Sequence, residues 1–192
     1  MIEKFFISKV RVKILKLFLL HINSTYHVRE IVRQLNEEIN AVRRILRSLE
    51  EIKFLVSEKN GNRVYYSLNK NFVFFIELFS LINKEYGIGG RIIKHKGKIG
   101  NVRIALLSNS YINNKRKNPQ EIDLLIIGSN INYVYLEKIV KDAEDEIGRE
   151  INYTYLSPTE FDNSKKKNDL FISNVIFKSK IMLIGDEEDL YK

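Results

Sequence analysis

"HVREIVRQLNEEINAVRRILRSLEEIKFLVSEKNGNRVYYSLN", residues 27–69, carries the pattern that decides the fold. Its middle, "INAVRRILRSLEEI" (39–52), is amphipathic at about 100° per residue. Ile39, Val42, Ile45, Leu46, Leu49 and Ile52 gather on one side, and Asn40, Arg43, Arg44 and Arg47 on the other. The apolar side can seat this helix on its neighbours. Guanidinium and amide groups are the ones that bond phosphates and base edges in a major groove. On a lone helix the same face could simply be solvated.

The flanks show that the helix does not stand alone. Upstream, Ser8 can cap a helix in which Val10, Ile14, Leu17 and Phe18 recur at helical spacing until about His21–Ser24. "TYHV" reads as a short extended piece. "REIVRQLN" then puts Val28, Ile31, Val32 and Leu35 on one face, and Asn36 can end that helix in the left-handed conformation. Downstream, Val56, Val64, Tyr66 and Leu68 are strand-like around Asn60-Gly61. That dipeptide predicts a type I′ hairpin, in which both central residues need positive φ. Lys59, Asn62 and Arg63 sit at the hairpin tip.

Three helices, the last of them basic, followed by a basic-tipped hairpin, resemble the winged helix-turn-helix regulators of the ArsR/MarR type over roughly residues 5–70. The resemblance implies that the third helix enters the major groove and the wing lies along the backbone or minor groove. It assigns Asn40, Arg43, Arg44 and Arg47 to readout and Lys59, Asn62 and Arg63 to phosphates. It also implies a homodimer, because paired half-sites need paired readers.

Charge agrees with a polyanion partner at this end. Residues 1–70 hold 14 Lys/Arg and 7 Asp/Glu, a net +7, whereas the remainder holds 18 and 17. The 192 residues suffice for one large domain or two small ones, and a 44% apolar share supports a real core. There is no cysteine, which excludes disulfides and thiolate zinc sites. The three histidines, His21, His27 and His95, are scattered, which argues against a histidine metal cluster. Lys9, Arg11, Lys13 and Lys16 interrupt the apolar N-terminal stretch, so it suits an amphipathic helix rather than a membrane span. A soluble, cytoplasmic protein without a signal peptide is expected.

"NFVFFIELFSLINKEYG" (71–87) is apolar almost all round, which predicts a connecting helix covered on several sides, by a dimer partner or by a core. "GIGGRIIKHKGKIG" (87–100), with five glycines and five basic residues including His95, predicts a flexible basic linker. Three segments are therefore expected: 1–70, 71–100 and 101–192.

In the last segment "VRIALLS" (102–108), "EIDLLIIG" (121–128), "REINYTYLS" (149–157) and "KIMLIG" (180–185) read as strands. "NYVYLEKIVKDAEDEIG" is an amphipathic helix stopped by Gly148. Ser157-Pro158 opens another, and "NDLFISNVIFKS" is a third. "NSKKKND" (163–169) reads as an exposed turn. The tyrosines in strands (Tyr65, Tyr66, Tyr153, Tyr155) are accounted for by packing as well as by stacking on RNA.

The layout resembles the minimal nucleotidyltransferase domains of the DNA polymerase β superfamily over about residues 100–185. That resemblance implies a Gly-Ser turn for the nucleotide's phosphates and a trio of carboxylates for two Mg²⁺ ions. Here the turn reads Ser108-Asn109-Ser110, the acidic pair reads Glu121-Ile122-Asp123, and the third carboxylate position falls near Asn152. Glu121 and Asp123, two apart, should share one face of an extended chain. A misplacement of about 1 Å costs roughly 10²-fold in rate, so the pair is expected to be a remnant with no catalysis and no resident metal. Ser108 and Ser110 are the candidates for a nucleotide, and the loop carrying Lys115, Arg116 and Lys117 for phosphate. The expected protein is α+β: a winged helix, a connecting helix and a nucleotidyltransferase-like domain with a small mixed sheet. It is expected to be a dimeric double-stranded DNA-binding regulator without a cofactor. The alternative is an active Mg²⁺-dependent nucleotidyltransferase, antitoxin-like, with a DNA-binding domain.

Overall fold

The computed structural model describes residues 4, 8–113 and 121–191. It mixes helices with two small sheets and divides into two compact units, Met1–Glu85 and Tyr86–Lys192.

In the first unit Ser8 caps α1 (Lys9–Leu20), accepting from the Arg11 N–H at 3.3 Å. β1 (Thr25–His27) leads into α2 (Val28–Leu35), which Asn36 ends at φ 50°. α3 (Ile39–Glu51) and the hairpin β2 (Leu55–Asn60) and β3 (Arg63–Leu68) follow. The antiparallel sheet runs β1-β3-β2, with His27 opposite Tyr65 and Leu55 opposite Leu68. Ile14, Phe18, Leu19, Ile31, Leu46 and Phe54 are sealed from solvent. Asn60 pairs with Arg63, so the turn residues are Gly61 and Asn62, one position later than expected. Gly61 takes φ 58° and Asn62 stays negative, the type II′ pattern, which needs glycine only at its first central position.

α4 spans Phe75–Glu85 and buries Phe75, Phe79 and Ile82. Among the described residues it is not covered all round. Val73, Phe74 (58% exposed), Ile76 and Leu81 face solvent.

The second unit begins where a flexible linker is expected, and there the sequence reading is corrected. Gly87–Ile99 is a helix, α5, and it belongs to the second unit. Ile88, Ile92 and Ile99 are fully buried, and Gly87 and Gly89 are buried beside them. The apolar seam outweighs the roughly 1 kcal/mol per glycine that a helix interior loses relative to alanine.

β4 (Asn101–Leu107), α6 (Asn109–Asn113), β5 (Leu124–Ser129), α7 (Tyr133–Ile147), β6 (Tyr153–Leu156), α8 (Pro158–Lys166), α9 (Leu170–Phe177) and β7 (Ile181–Ile184) complete the unit. The mixed sheet runs β6-β5-β4-β7, with β5 and β6 parallel and the other pairs antiparallel. Ile104, Leu106, Leu125 and Ile127 pack on one side against Phe161, Ile172, Val175 and Ile176 of α8 and α9. Ile104–Leu107 of β4 and Leu124–Ile127 of β5 are continuous apolar runs, as the central part of a sheet covered on both faces must be. At Gly128 a Cβ would stand 2.5 Å from the Asn101 carbonyl oxygen, so only glycine lets β4 and β5 approach this closely. α7 stops at Gly148 (φ 68°), and Ser157 with Glu160 forms a capping box on α8. The segment 163–169, expected as a turn, is helical through Lys166. None of the described helices is long and apolar enough to cross a membrane.

Candidate nucleic-acid interface

α3 is held from both ends and from beneath. Glu38 caps it, its two carboxylate oxygens accepting from the Asn40 and Ala41 N–H groups, each at 2.8 Å. Those backbone bonds, aided by Arg43 and Arg44, hold its carboxyl below the usual range. A depressed folded pKa stabilises where the carboxylate is charged in both states. The contribution is therefore complete above the ordinary value of 4.5 and disappears as pH falls through the folded one. Acidification below pH 4.5 is expected to fray the start of α3 in wild type. A Glu38→Gln protein should show a smaller acid-induced change in amide exchange at Asn40 and Ala41.

Beneath the helix, Val42, Ile45, Leu46 and Leu49 are buried. Ile52, expected on the same seam, lies past the last helical residue and is 54% exposed, because the chain turns away there. Asn40, Arg43, Arg44 and Arg47 are all exposed, and with Ser48 and Glu51 they line a shallow groove of about 500 Å³.

Two supports were not legible in the sequence. Arg11 of α1 donates from Nη2 to Ser48 Oγ at 3.1 Å, reaching the edge of that groove. Glu50 accepts from the Ser57 hydroxyl, tying β2 to α3. Helical periodicity marks both residues as surface positions but cannot pair them across 37 and 7 residues. Lys59, Asn62 and Arg63 are exposed at the end of the hairpin, outside the α3 groove.

The acidic pair of the second unit stands before its strand: β5 starts at Leu124, so Glu121 and Asp123 precede the regular alternation. Asp123 is 4% exposed, and its Oδ2 accepts from the Asn152 N–H at 3.1 Å. The Asn152 carbonyl accepts in return from the Asp123 and Leu124 N–H groups at 2.7 and 3.1 Å. Asn152, at the expected position of a third carboxylate, is thus the backbone partner that aligns β6 with β5. Glu121 instead lines a groove of about 250 Å³ with Ser108, Ser110, Phe171, Asn174 and Lys178.

Ser108 is buried and its hydroxyl donates to the Ile122 carbonyl. The Ser110 N–H donates back to Ser108 Oγ at 3.1 Å. Arg149 lies over the Tyr111 ring at 4.5 Å, and burial pushes the Tyr111 hydroxyl up to about 12 despite that cation. Among the described residues no group of three His, Cys, Asp or Glu side chains gathers to hold a metal ion. The loop with Lys115, Arg116 and Lys117 lies outside the described residues.

Asp123 therefore serves as a clamp. Asp123→Ala is expected to lower stability by about 1–3 kcal/mol in urea unfolding, as loss of a charge-assisted hydrogen bond does. Asp123→Asn, which keeps an acceptor oxygen in place, should lose clearly less.

No family model matches the chain. No curated protein matches it either. Among solved structures, reduced HlyU from Vibrio cholerae is similar at 19% identity, over 44% of this chain and 80% of that one, with a TM-score of 0.34. A likeness so slight bears on neither fold nor function.

Proposed function

We propose that the chain is a sequence-specific double-stranded DNA-binding transcriptional regulator that works as a homodimer. Its C-terminal unit serves assembly or ligand sensing and is a catalytically degenerate relative of the nucleotidyltransferases. One observation carries the DNA-binding reading. α3 buries Val42, Ile45, Leu46 and Leu49 while leaving Asn40, Arg43, Arg44 and Arg47 exposed together on its outer side. A rigid helix with three guanidinium groups and an amide on its free face can bond phosphates and base edges at once. Lys59, Asn62 and Arg63 supply backbone contacts from the hairpin. Polarisation of labelled duplexes recovered from a random pool tests this. Saturable binding at modest salt is expected, and its absence would remove the reading.

The dimer reading is supported by α4. Phe74, the residue before the helix, and Leu81 within it stand seven apart with the half-buried Leu78 between them, and Phe74 and Leu81 are exposed among the described residues. Such a stripe fits its own copy across a two-fold axis. The double variant Phe74→Glu, Leu81→Glu is expected to sediment at half the wild-type mass and to bind palindromic duplexes poorly.

The degenerate reading of the second unit is supported by Asp123, whose carboxylate is engaged with Asn152, and by Ser108, whose hydroxyl is turned into the fold. Mg²⁺-dependent transfer of labelled nucleotide that vanished in Asp123→Asn would establish the enzymatic alternative.

A further inference from the structure

The sheet of the second unit ends on an open strand. β6 stands at one end of the order β6-β5-β4-β7, and no described strand lies beyond it. It pairs with β5 in parallel, with Leu124 opposite Tyr153 and Ile126 opposite Tyr155. The Leu124 N–H donates to the Asn152 carbonyl at 3.1 Å. In a parallel ladder that bond sets the others: Leu124 and Ile126 reach Asn152, Thr154 and Leu156, the residues flanking those opposite them. The N–H and C=O groups of Tyr153 and Tyr155 therefore point away from the sheet, and no hydrogen bond among the described residues engages them. Sheet edges are commonly blunted by lysine, proline or a bulge. Tyr153–Leu156 has none of these.

Both flanks of this edge combine apolar surface with a carboxylate. On the α7 side the Tyr133 and Tyr155 rings stack, with centroids 5.6 Å apart, and both are exposed. Glu137 follows Tyr133 by one turn of α7 and is also exposed. Burial, and after it Glu137 and Glu144, push the Tyr153 hydroxyl up, which places both carboxylates beside the start of β6. Glu144 is engaged with the Ile151 N–H at 2.6 Å. No ion pair among the described residues engages Glu137. On the α9 side a groove of about 610 Å³ borders the edge, lined by Asn152, Tyr153, Thr154, Leu170 and Phe171. Asp169 is the one charged side chain among the described residues lining it.

A row of free N–H and C=O groups is matched by an extended backbone, which adds as a further strand. Successive side chains of such a strand point to opposite flanks. Glu137 and Asp169 both stand near the Tyr153 end, so two neighbouring basic residues would meet one carboxylate each.

We propose that the β6 edge is a docking site for an extended segment of another protein, bearing Lys or Arg at two neighbouring positions, one toward Glu137 and one toward Asp169. The site lies wholly within the second unit and stands independently of the DNA-binding reading of α3.

A displayed library of random octapeptides, panned against the full chain, tests this. The peptides recovered are expected to carry two adjacent basic residues and no proline in their central positions. The tightest of them, labelled, is the probe for polarisation titrations. Its binding should slow amide exchange at Tyr153 and Tyr155 and change little at Thr154 and Leu156, whose N–H groups face β5. Tyr155→Pro removes one outward N–H, a change that an edge strand tolerates where the N–H faces solvent. Tyr155→Val removes the ring and keeps the N–H. The proline variant is expected to bind the probe about 2- to 10-fold more weakly than the valine variant, the worth of one hydrogen bond. E137Q/D169N should weaken the probe about 2- to 30-fold at low salt and leave duplex binding unchanged. The amide at 169 keeps the cap that Asp169 places on the Phe171 N–H.

Recovery of no peptide above background, equal affinity in the proline and valine variants, or full affinity in E137Q/D169N overturns the proposal. Thermal melting reports whether Tyr155→Pro folds. If it does not, amide exchange and the carboxylate variant decide. An oligomer that dissociates in Tyr155→Pro and not in Tyr155→Val also overturns it, because a second copy would then hold the edge. If wild type binds the probe as expected and binds no duplex, this proposal stands and only the reading of α3 falls.

Discussion

Phe18→Ala is expected to destabilise the N-terminal unit by about 3–5 kcal/mol, enough to leave much of it unfolded at room temperature. Phe18 is fully buried in α1, and its ring meets Tyr26 of β1 edge-on at a centroid distance of 5.4 Å. Ile14 and Leu19 of the same helix and Ile31, Leu46 and Phe54 of the following elements are equally sealed. Truncation would remove apolar contact and leave a cavity that α1 cannot fill without pulling Arg11 away from Ser48. Urea unfolding followed by dichroism measures the loss as a lowered midpoint with little change in slope. A loss below about 1 kcal/mol would mean that the core collapses around the gap. DNA binding should fall with it, because the exposed face of α3 is aimed only through the core beneath it.

Arg43→Ala and Arg47→Ala are each expected to remove about 1–3 kcal/mol of binding to a selected duplex and to relax preference at particular base positions. That is about 5- to 150-fold in affinity. Both residues are exposed, one turn apart on the free face of α3, so neither substitution removes a core contact. Stability should change little, and thermal melting checks that. Lys59→Ala and Arg63→Ala at the hairpin end are expected to behave differently. They should weaken all sequences alike and reduce the salt slope by about 1 each. Equal and sequence-independent losses in all four variants would make α3 an electrostatic surface instead of a reader.

What the sequence foretold and what it did not follow from the range of the forces involved. Ser8, Asn36, Ser157-Pro158 and Gly148 act within one or two helical turns, and each stands where its chemistry predicts. The seam of α3 is equally local, and its burial follows the 3.6-residue period from Val42 to Leu49. The first errors come at ends. Ile52 continues the seam on paper, but the helix stops before it, and the hairpin turn slips by one residue onto Gly61-Asn62.

The larger errors come where distant packing decides. Five glycines between 87 and 100 outvote helix by propensity. The burial of Ile88, Ile92 and Ile99 reverses that vote, and nothing local reveals it. Asn152, far along the chain, takes the Asp123 carboxylate with its N–H and the Glu121 carbonyl with its side-chain amide, a pairing no local pattern reveals. The alternation rule assumes a strand that begins only at Leu124. The Arg11–Ser48 and Glu50–Ser57 bonds join surface positions whose pairing only the fold specifies.

The central claim is that the exposed face of α3 reads base sequence. Selection of duplexes from one random pool by wild type and by Arg43→Ala, sequenced side by side, tests it most directly. Wild type should enrich a defined site, and the variant should enrich the same site with preference lost at one or two adjacent base pairs. Enrichment of no site by wild type, or of an identical site with undiminished preference by the variant, would contradict it.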